Sequence, residues 1–126
     1  MTQLNDYEYI SGIHVFRLRG DFTPQSLDQL KTTVTAEVAS RGTCKVLFNL
    51  EFVDYITSKD LGVFVQIFRY LAAESKNNST DAFLALCHVG TFAMDVIEMT
   101  KLENIFRIFE TEEHAIRELA GDSSGS

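Results

Sequence analysis

Apolar residues recur along this chain with two different periods, and the switching between them predicts an order of elements. Residues 7–10 and 13–18 are short runs rich in β-branched and aromatic side chains, separated only by Ser11-Gly12. Two turn-forming residues between such runs predict a β-hairpin. Gly20-Asp21 breaks the pattern, and Thr23-Pro24 reads as an N-cap followed by proline at the first helical position, where a missing N–H costs nothing. Leu27, Leu30, Val34 and Val38 follow at helical spacing, so an amphipathic helix is expected to end near Arg41-Gly42. The run Lys45-Val46-Leu47-Phe48-Asn49-Leu50 is almost continuously apolar, the pattern of a strand buried on both faces.

A second helix is predicted to begin near Thr57-Ser58. Leu61, Phe64, Val65, Phe68, Leu71 and Ala72 form one apolar stripe on it, and Val63, Ile67 and Tyr70 form a second, about a quarter-turn or more away. Packing on a sheet needs only the first stripe, so the second is expected to meet either a partner or another helix, the third being the nearest candidate. Residues 76–81 read as a polar loop and 82–87 as another buried strand. Phe92, Ala93, Val96 and Ile97 suit a short third helix, and residues 105–109 a last strand. Thr111-Glu112-Glu113 opens a final helix carrying Ala115, Ile116 and Leu119. The order is β-β-α-β-α-β-α-β-α. Strand–helix–strand units with short links require right-handed parallel crossovers, so the expected fold is α/β: a mixed, mostly parallel sheet with four helices packed mainly on one face. Residues 1–120 are expected to form one domain, followed by a flexible Gly/Ser tail over 121–126.

Composition supports that picture. With 126 residues and 45% hydrophobic content, the chain can bury a core without metal or disulfide staples. Eleven basic against 18 acidic residues give a net charge of −7, which argues against nucleic acid and against anionic membrane surfaces as partners. The longest apolar-rich stretch, 61–73, is interrupted by Gln66 and Arg69 and is too short to span a bilayer. The first residues carry neither a basic nor an apolar leader segment, and a cytoplasmic location is expected. Cys44 and Cys87 lie far apart with no CxxC spacing and are read as reduced thiols. Asn78-Ser79-Thr80 matches a glycosylation sequon but is read as a polar turn.

Enzyme chemistry finds little support. No GxxxxGK[ST] or GxGxxG stretch offers a glycine cradle for phosphates. His14, His88 and His114 are scattered without ligand spacing, so neither a metal nor a cofactor is expected. Glu51 and Asp54 follow a buried strand, where carboxylates ordinarily mark a solvated turn, and Cys44 has no neighbouring histidine to activate it. The most informative segment is Asp54-Tyr55-Ile56-Thr57-Ser58-Lys59-Asp60-Leu61-Gly62, which joins a buried strand to the doubly striped helix. On one reading, Thr57 or Ser58 is only an N-cap accepting orphan amide hydrogen bonds. On the other, Ser58 stands exposed at the helix start, where a phosphate gains from the amides and the helix dipole and places about −2 of charge beside an apolar surface.

This ordered set of segments resembles STAS domains of the bacterial anti-sigma factor antagonist kind. In that family a buried strand reading like V-L-x-L leads to a turn like F-[IM]-D-S-[ST]-G-L-G-V that opens a helix. Here Val46-Leu47-Phe48-Asn49-Leu50-Glu51 leads to Tyr55-Ile56-Thr57-Ser58-Lys59-Asp60-Leu61-Gly62-Val63. Leu18-Arg19-Gly20-Asp21 and Met99-Thr100-Lys101-Leu102 also agree, so the likeness runs from about Tyr7 to Leu119. The aspartate before the serine is Thr57 here, the hydroxyl residue after it is Lys59, and the glycine is Asp60. Thr57 retains the capacity to cap, Asp60 suits a first helical turn, and Lys59 offsets a phosphate that Asp60 opposes.

The resemblance implies a protein with no enzymatic activity of its own. Its implied partner is an anti-sigma factor with serine kinase activity, which phosphorylates Ser58 and then releases the antagonist. The implied contact patch is Thr57, Ser58, Lys59 and Asp60 with the exposed members of Val63, Ile67 and Tyr70; a homodimer stays open. Two other readings remain beside it. One is a non-phosphorylated STAS scaffold or dimerisation module in a signalling or transport complex, which the three replacements favour. The other is a small-ligand or nucleotide-binding module, which the missing glycine cradle disfavours.

Overall fold

The computed structural model describes residues 3–53, 55–78 and 81–123. Strands β1 (Gln3–Ile10) and β2 (Ile13–Arg19) form the antiparallel hairpin. Its turn places Ser11 at φ 53° and Gly12 at φ 81°, the paired left-handed conformation that matches the twist of a two-residue hairpin. Helix α1 (Pro24–Arg41) starts at a capping box: the Thr23 hydroxyl accepts from the Ser26 amide and the Ser26 hydroxyl accepts from the Thr23 amide. It ends at Gly42, whose φ of 76° lets its N–H turn back to the Val38 carbonyl. Then come β3 (Cys44–Phe52), α2 (Ser58–Asn78), β4 (Ala82–Cys87), α3 (Thr91–Met99), a 3₁₀ turn over Leu102–Asn104, β5 (Arg107–Phe109) and α4 (Glu112–Ser123).

Several boundaries differ from those expected, among them the start of β1 at Gln3 rather than Tyr7 and the end of β3 at Phe52 rather than Leu50. Helix α2 absorbs the first part of the 76–81 loop, because Lys76 suits a last helical turn where a cation meets the dipole; Ser79 and Thr80 of the sequon lie outside the described residues. The last strand shrinks to three residues because the chain is still closing its 3₁₀ turn at Ile105 and Phe106, whose amides both donate to the Leu102 carbonyl. Helix α4 continues through Gly121 to Ser123, and 124–126 of the expected tail lie outside the described residues.

The sheet order is β1-β2-β3-β4-β5, antiparallel at the first pair and parallel from β2 onward. The order advances one strand at a time from β2 to β5, so right-handed crossovers put α1, α2 and α3 on the same face. Strand alternation divides the core accordingly. Phe16, Phe48, Leu84 and Leu86 face α1–α3, while Val15, Leu47, Phe83 and Ala85 face Ala115 and Leu119 of α4. The mixed, mostly parallel sheet with helices mainly on one face is as expected, and the structure adds that α4 alone lies on the other. No helix among the described residues is long and apolar enough to cross a membrane.

Helix α2 corrects one expectation. Ile67 is only 1% exposed and belongs to the core. The Tyr70 hydroxyl donates to the Thr35 carbonyl of α1 at 3.4 Å, and Lys31 of α1 donates to Gln66 at 3.2 Å. The neighbour along this side of α2 is therefore α1 rather than α3 or a partner, which takes Ile67 out of the expected exposed patch.

Candidate functional site

The site begins where β3 leaves the sheet. Arg17 pairs with Asn49 and Arg19 with Phe52, so two steps along β2 match three along β3. The extra residue is a bulge, which bends the strand and re-aims the chain beyond it. The bulge is held by the Gly20 amide donating to the Phe52 carbonyl at 2.9 Å, the Val53 amide to the Leu50 carbonyl at 3.0 Å, and the Glu51 amide to Asn49 Oδ1 at 2.9 Å. From there the chain crosses to α2, with Ile56 buried as an anchor.

Thr57 is the N-cap of α2. The Asp60 amide donates to Thr57 Oγ1 at 3.2 Å, the Thr57 amide donates to Asp60 Oδ2 at 3.0 Å, and the Leu61 amide reaches the Thr57 carbonyl at 3.1 Å. This reciprocal box settles which of the two hydroxyls caps. Asp60, in the place of the family's glycine, is 9% exposed and completes the cap. Ser58 and Lys59, at the first two helical positions, are left exposed. Among the described residues no hydrogen bond engages the Ser58 hydroxyl.

Two apolar surfaces flank this turn. On the loop side Phe52, Tyr55 and Phe92 are 54%, 55% and 59% exposed. Tyr55 and Phe92 stack with ring centroids 5.7 Å apart, and the Arg19 guanidinium lies 5.0 Å from the Phe52 ring centroid. On the helix side, a cleft of about 390 Å³ separates the starts of α1 and α2, lined by Phe22, Pro24, Leu27, Asp28, Lys59, Asp60 and Val63. Thr57, Ser58, Lys59, Asp60 and Val63 are therefore brought together, while Ile67 is buried and Tyr70 is engaged with α1. The aromatic surface was not legible in the sequence, because Phe92 reads equally well as a core position of α3. The capping role of Asp60 was available from the Thr-x-x-Asp spacing before an apolar run.

Of the remaining polar candidates, His14 and the two cysteines are held in the core. His14 is fully buried on the α1 side. Its Nε2 lies 3.1 Å from the Thr43 carbonyl, an obligate acceptor, so Nε2 carries the proton and Nδ1 accepts from the Tyr7 hydroxyl at 2.8 Å. Burial lowers its pKa below the ordinary 6.5. Burial also raises Cys44 and pushes the Cys87 thiol up to about 12, which leaves both far from the thiolate form a nucleophile requires. Glu51 is exposed at the strand end, and Asp54 lies outside the described residues.

The family model of the STAS domain matches residues 6–115. Among solved structures, the Thermotoga maritima protein TM1081 superposes with a TM-score of 0.76 at 22% identity, over 92% of this chain and 87% of that one. An anti-sigma factor antagonist from Mycobacterium paratuberculosis gives 0.72 at 19% identity, over 93% and 91%. The Bacillus anti-sigma factor antagonist SpoIIAA in its unphosphorylated form gives 0.68 at 18% identity, over 92% and 97%, and its phosphorylated form has also been solved.

Proposed function

This chain belongs to the STAS domain family, and from that membership we propose that it is an anti-sigma factor antagonist that binds an anti-sigma factor with serine kinase activity and is released by phosphorylation of Ser58. The observation that carries this reading is the division of labour in the turn. Thr57 and Asp60 satisfy the cap, so the Ser58 hydroxyl is exposed and available as a phosphoryl acceptor. A phosphate there meets the free amides of the first turn and the positive end of the helix dipole. It also sets about −2 of charge beside Tyr55, Phe92 and Val63, so an apolar partner surface that docked on them is repelled or has to rearrange. Lys59 moderates that charge and Asp60 adds to it. The solved phosphorylated and unphosphorylated forms of SpoIIAA lend the reading support by likeness of fold.

The contact surface on this reading is Thr57, Ser58, Lys59, Asp60 and Val63 with Tyr55 and Phe92. The protein performs no catalysis itself; the partner supplies ATP and the kinase site in the cytoplasm. The test is incubation with ATP and a panel of anti-sigma kinases from the same source, read by intact mass and peptide mapping. One phosphate on Ser58 is expected, with Ser58→Asp weakening the complex and Ser58→Ala retaining it. Equal affinity of those two variants overturns the switch. A complex that forms without phosphate transfer points instead to a constitutive STAS scaffold, the reading that Lys59 and Asp60 favour by departing from the family's turn.

A further inference from the structure

Asn49 is the single polar side chain in the run Val46-Leu47-Phe48-Asn49-Leu50, and it is only 8% exposed. A buried primary amide destabilises a fold unless its donor and acceptor are both matched. Here both are. Oδ1 accepts from the Glu51 amide, the N–H of the bulged segment, and Nδ2 donates to Glu112 Oε1 of α4 at 2.9 Å. Because one partner only donates and the other only accepts, the amide has one orientation. Glu112 is itself fixed. Its two oxygens accept from Arg17 Nε at 2.9 Å and Nη2 at 2.7 Å, and Arg17 also meets Asp6 at 2.6 Å and Glu8 at 3.0 Å. Arg17 holds the Glu112 carboxyl below the ordinary carboxylate range, so it stays an acceptor.

We infer that Asn49 is a positioning residue for the Ser58 turn, oriented by Glu112 so that the clasp on α4 sets the shape of the turn at the end of β3. Among the described residues the links follow one another. Arg17 fixes Glu112, Glu112 fixes the Asn49 amide, Asn49 fixes the Glu51 N–H, and the bulge so held fixes the direction in which the chain leaves for Thr57. The far end is pinned by buried Ile56 and the Thr57–Asp60 box, so the turn is strung between two anchors and a change at the first is felt at the second. The residues involved come from β1, β2, β3 and α4, and Asn49 and Glu112 are 63 positions apart. The biological consequence of this coupling rests on the proposed function of Ser58; the coupling itself does not.

The test is site-resolved amide hydrogen exchange by NMR on the full chain, with Ser58 phosphorylation rate as the second readout. In Asn49→Leu, exchange at Glu51, Thr57, Asp60 and Leu61 is expected to quicken about tenfold beyond the change at Val34 and Val38 of α1, the shift that losing one buried hydrogen bond brings locally. Glu112→Ala is expected to reproduce that pattern from α4, and the double variant to add nothing further. Glu112→Gln keeps an acceptor for Asn49 and is expected to leave the turn close to wild type, which also secures a folded comparison. Leu119→Ala opens space about two turns along α4 from Glu112, leaves the side chains of the relay in place and is expected to spare the turn. The inference is overturned if Thr57, Asp60 and Leu61 respond no more than α1, or if Leu119→Ala matches Glu112→Ala. If the turn responds as expected but no kinase phosphorylates Ser58, the positioning role stands and the proposed function fails.

Discussion

The two faces of the sheet are held by different means. On one, α1, α2 and α3 cover a broad cluster in which Phe48 stands 4.9 Å from Phe64 and 5.9 Å from Phe16, ring centroid to ring centroid, with Leu30, Val34, Leu61, Leu71 and Ile97 filling the spaces. On the other, α4 offers Ala115 and Leu119, with Ile116 partly buried, to Ile13, Val15, Leu47 and Ala85. That smaller apolar contact is supplemented by the bidentate Arg17–Glu112 pair at the helix start. An exposed ion pair contributes little, but a partly buried fork held in place by further carboxylates adds direction as well as energy. The difference teaches that the face carrying the Ser58 turn is held by apolar area, whereas the opposite face adds charge to a smaller apolar contact.

The sharpest way to break this comparison is to truncate each core. Phe64→Ala is expected to cost about 3–5 kcal/mol and Leu119→Ala about 2–3 kcal/mol, measured by urea unfolding, with loss of amide protection confined to α4 in the second case. Equal costs and equal patterns of exchange would show the faces to be alike. The next effect is in pH. His14 on the first face and Glu112 on the second both bind a proton less readily when folded, so the unfolded chain takes up the proton first and stability falls as pH falls. Melting temperature is expected to drop in two steps, one beginning below the ordinary histidine value of 6.5 and one below the ordinary glutamate value of 4.5. His14→Gln removes the upper step and Glu112→Gln the lower; a single step surviving both variants contradicts the assignment. The smallest effect concerns the caps. Thr57→Val and, at α1, Thr23→Val are each expected to lose about 1 kcal/mol, whereas Ser58→Ala is expected to stay within about 0.5 kcal/mol. Denaturant midpoints of the three variants decide whether Ser58 is structurally idle.

How far the site was legible in the sequence depends on the distance over which each signal acts. Ser58 at a helix start could be read because a strand pattern stops and a helical one begins within a few residues. Thr57 as the cap is one of two hydroxyls by residue type alone, and only the acid three residues on, Asp60 against Leu61, distinguishes it from Ser58. Ile67 reads as part of an exposed stripe because periodicity reports that a side of α2 is apolar and is silent about what covers it. Asn49 passes as a blemish in a buried strand, and Glu112 as an ordinary first-turn acid, because the interaction that explains both spans 63 residues.

The sequence by itself determined what depends on neighbours along the chain: the hairpin turn at Ser11-Gly12, the cap at Thr23-Pro24, the left-handed stop at Gly42, the order of strands and helices, and the Ser58 turn. These are set by torsional preference and by hydrogen bonds within a few residues. Only the tertiary structure decided that α1 lies against the second side of α2, that α4 crosses to the opposite face, and that Arg17, Asn49 and Glu112 meet. Strand–helix–strand crossovers have a handedness that fixes the side of α1, α2 and α3, but the last helix leads to no further strand. Its side is chosen by the apolar surface still uncovered and by the charge waiting beside it.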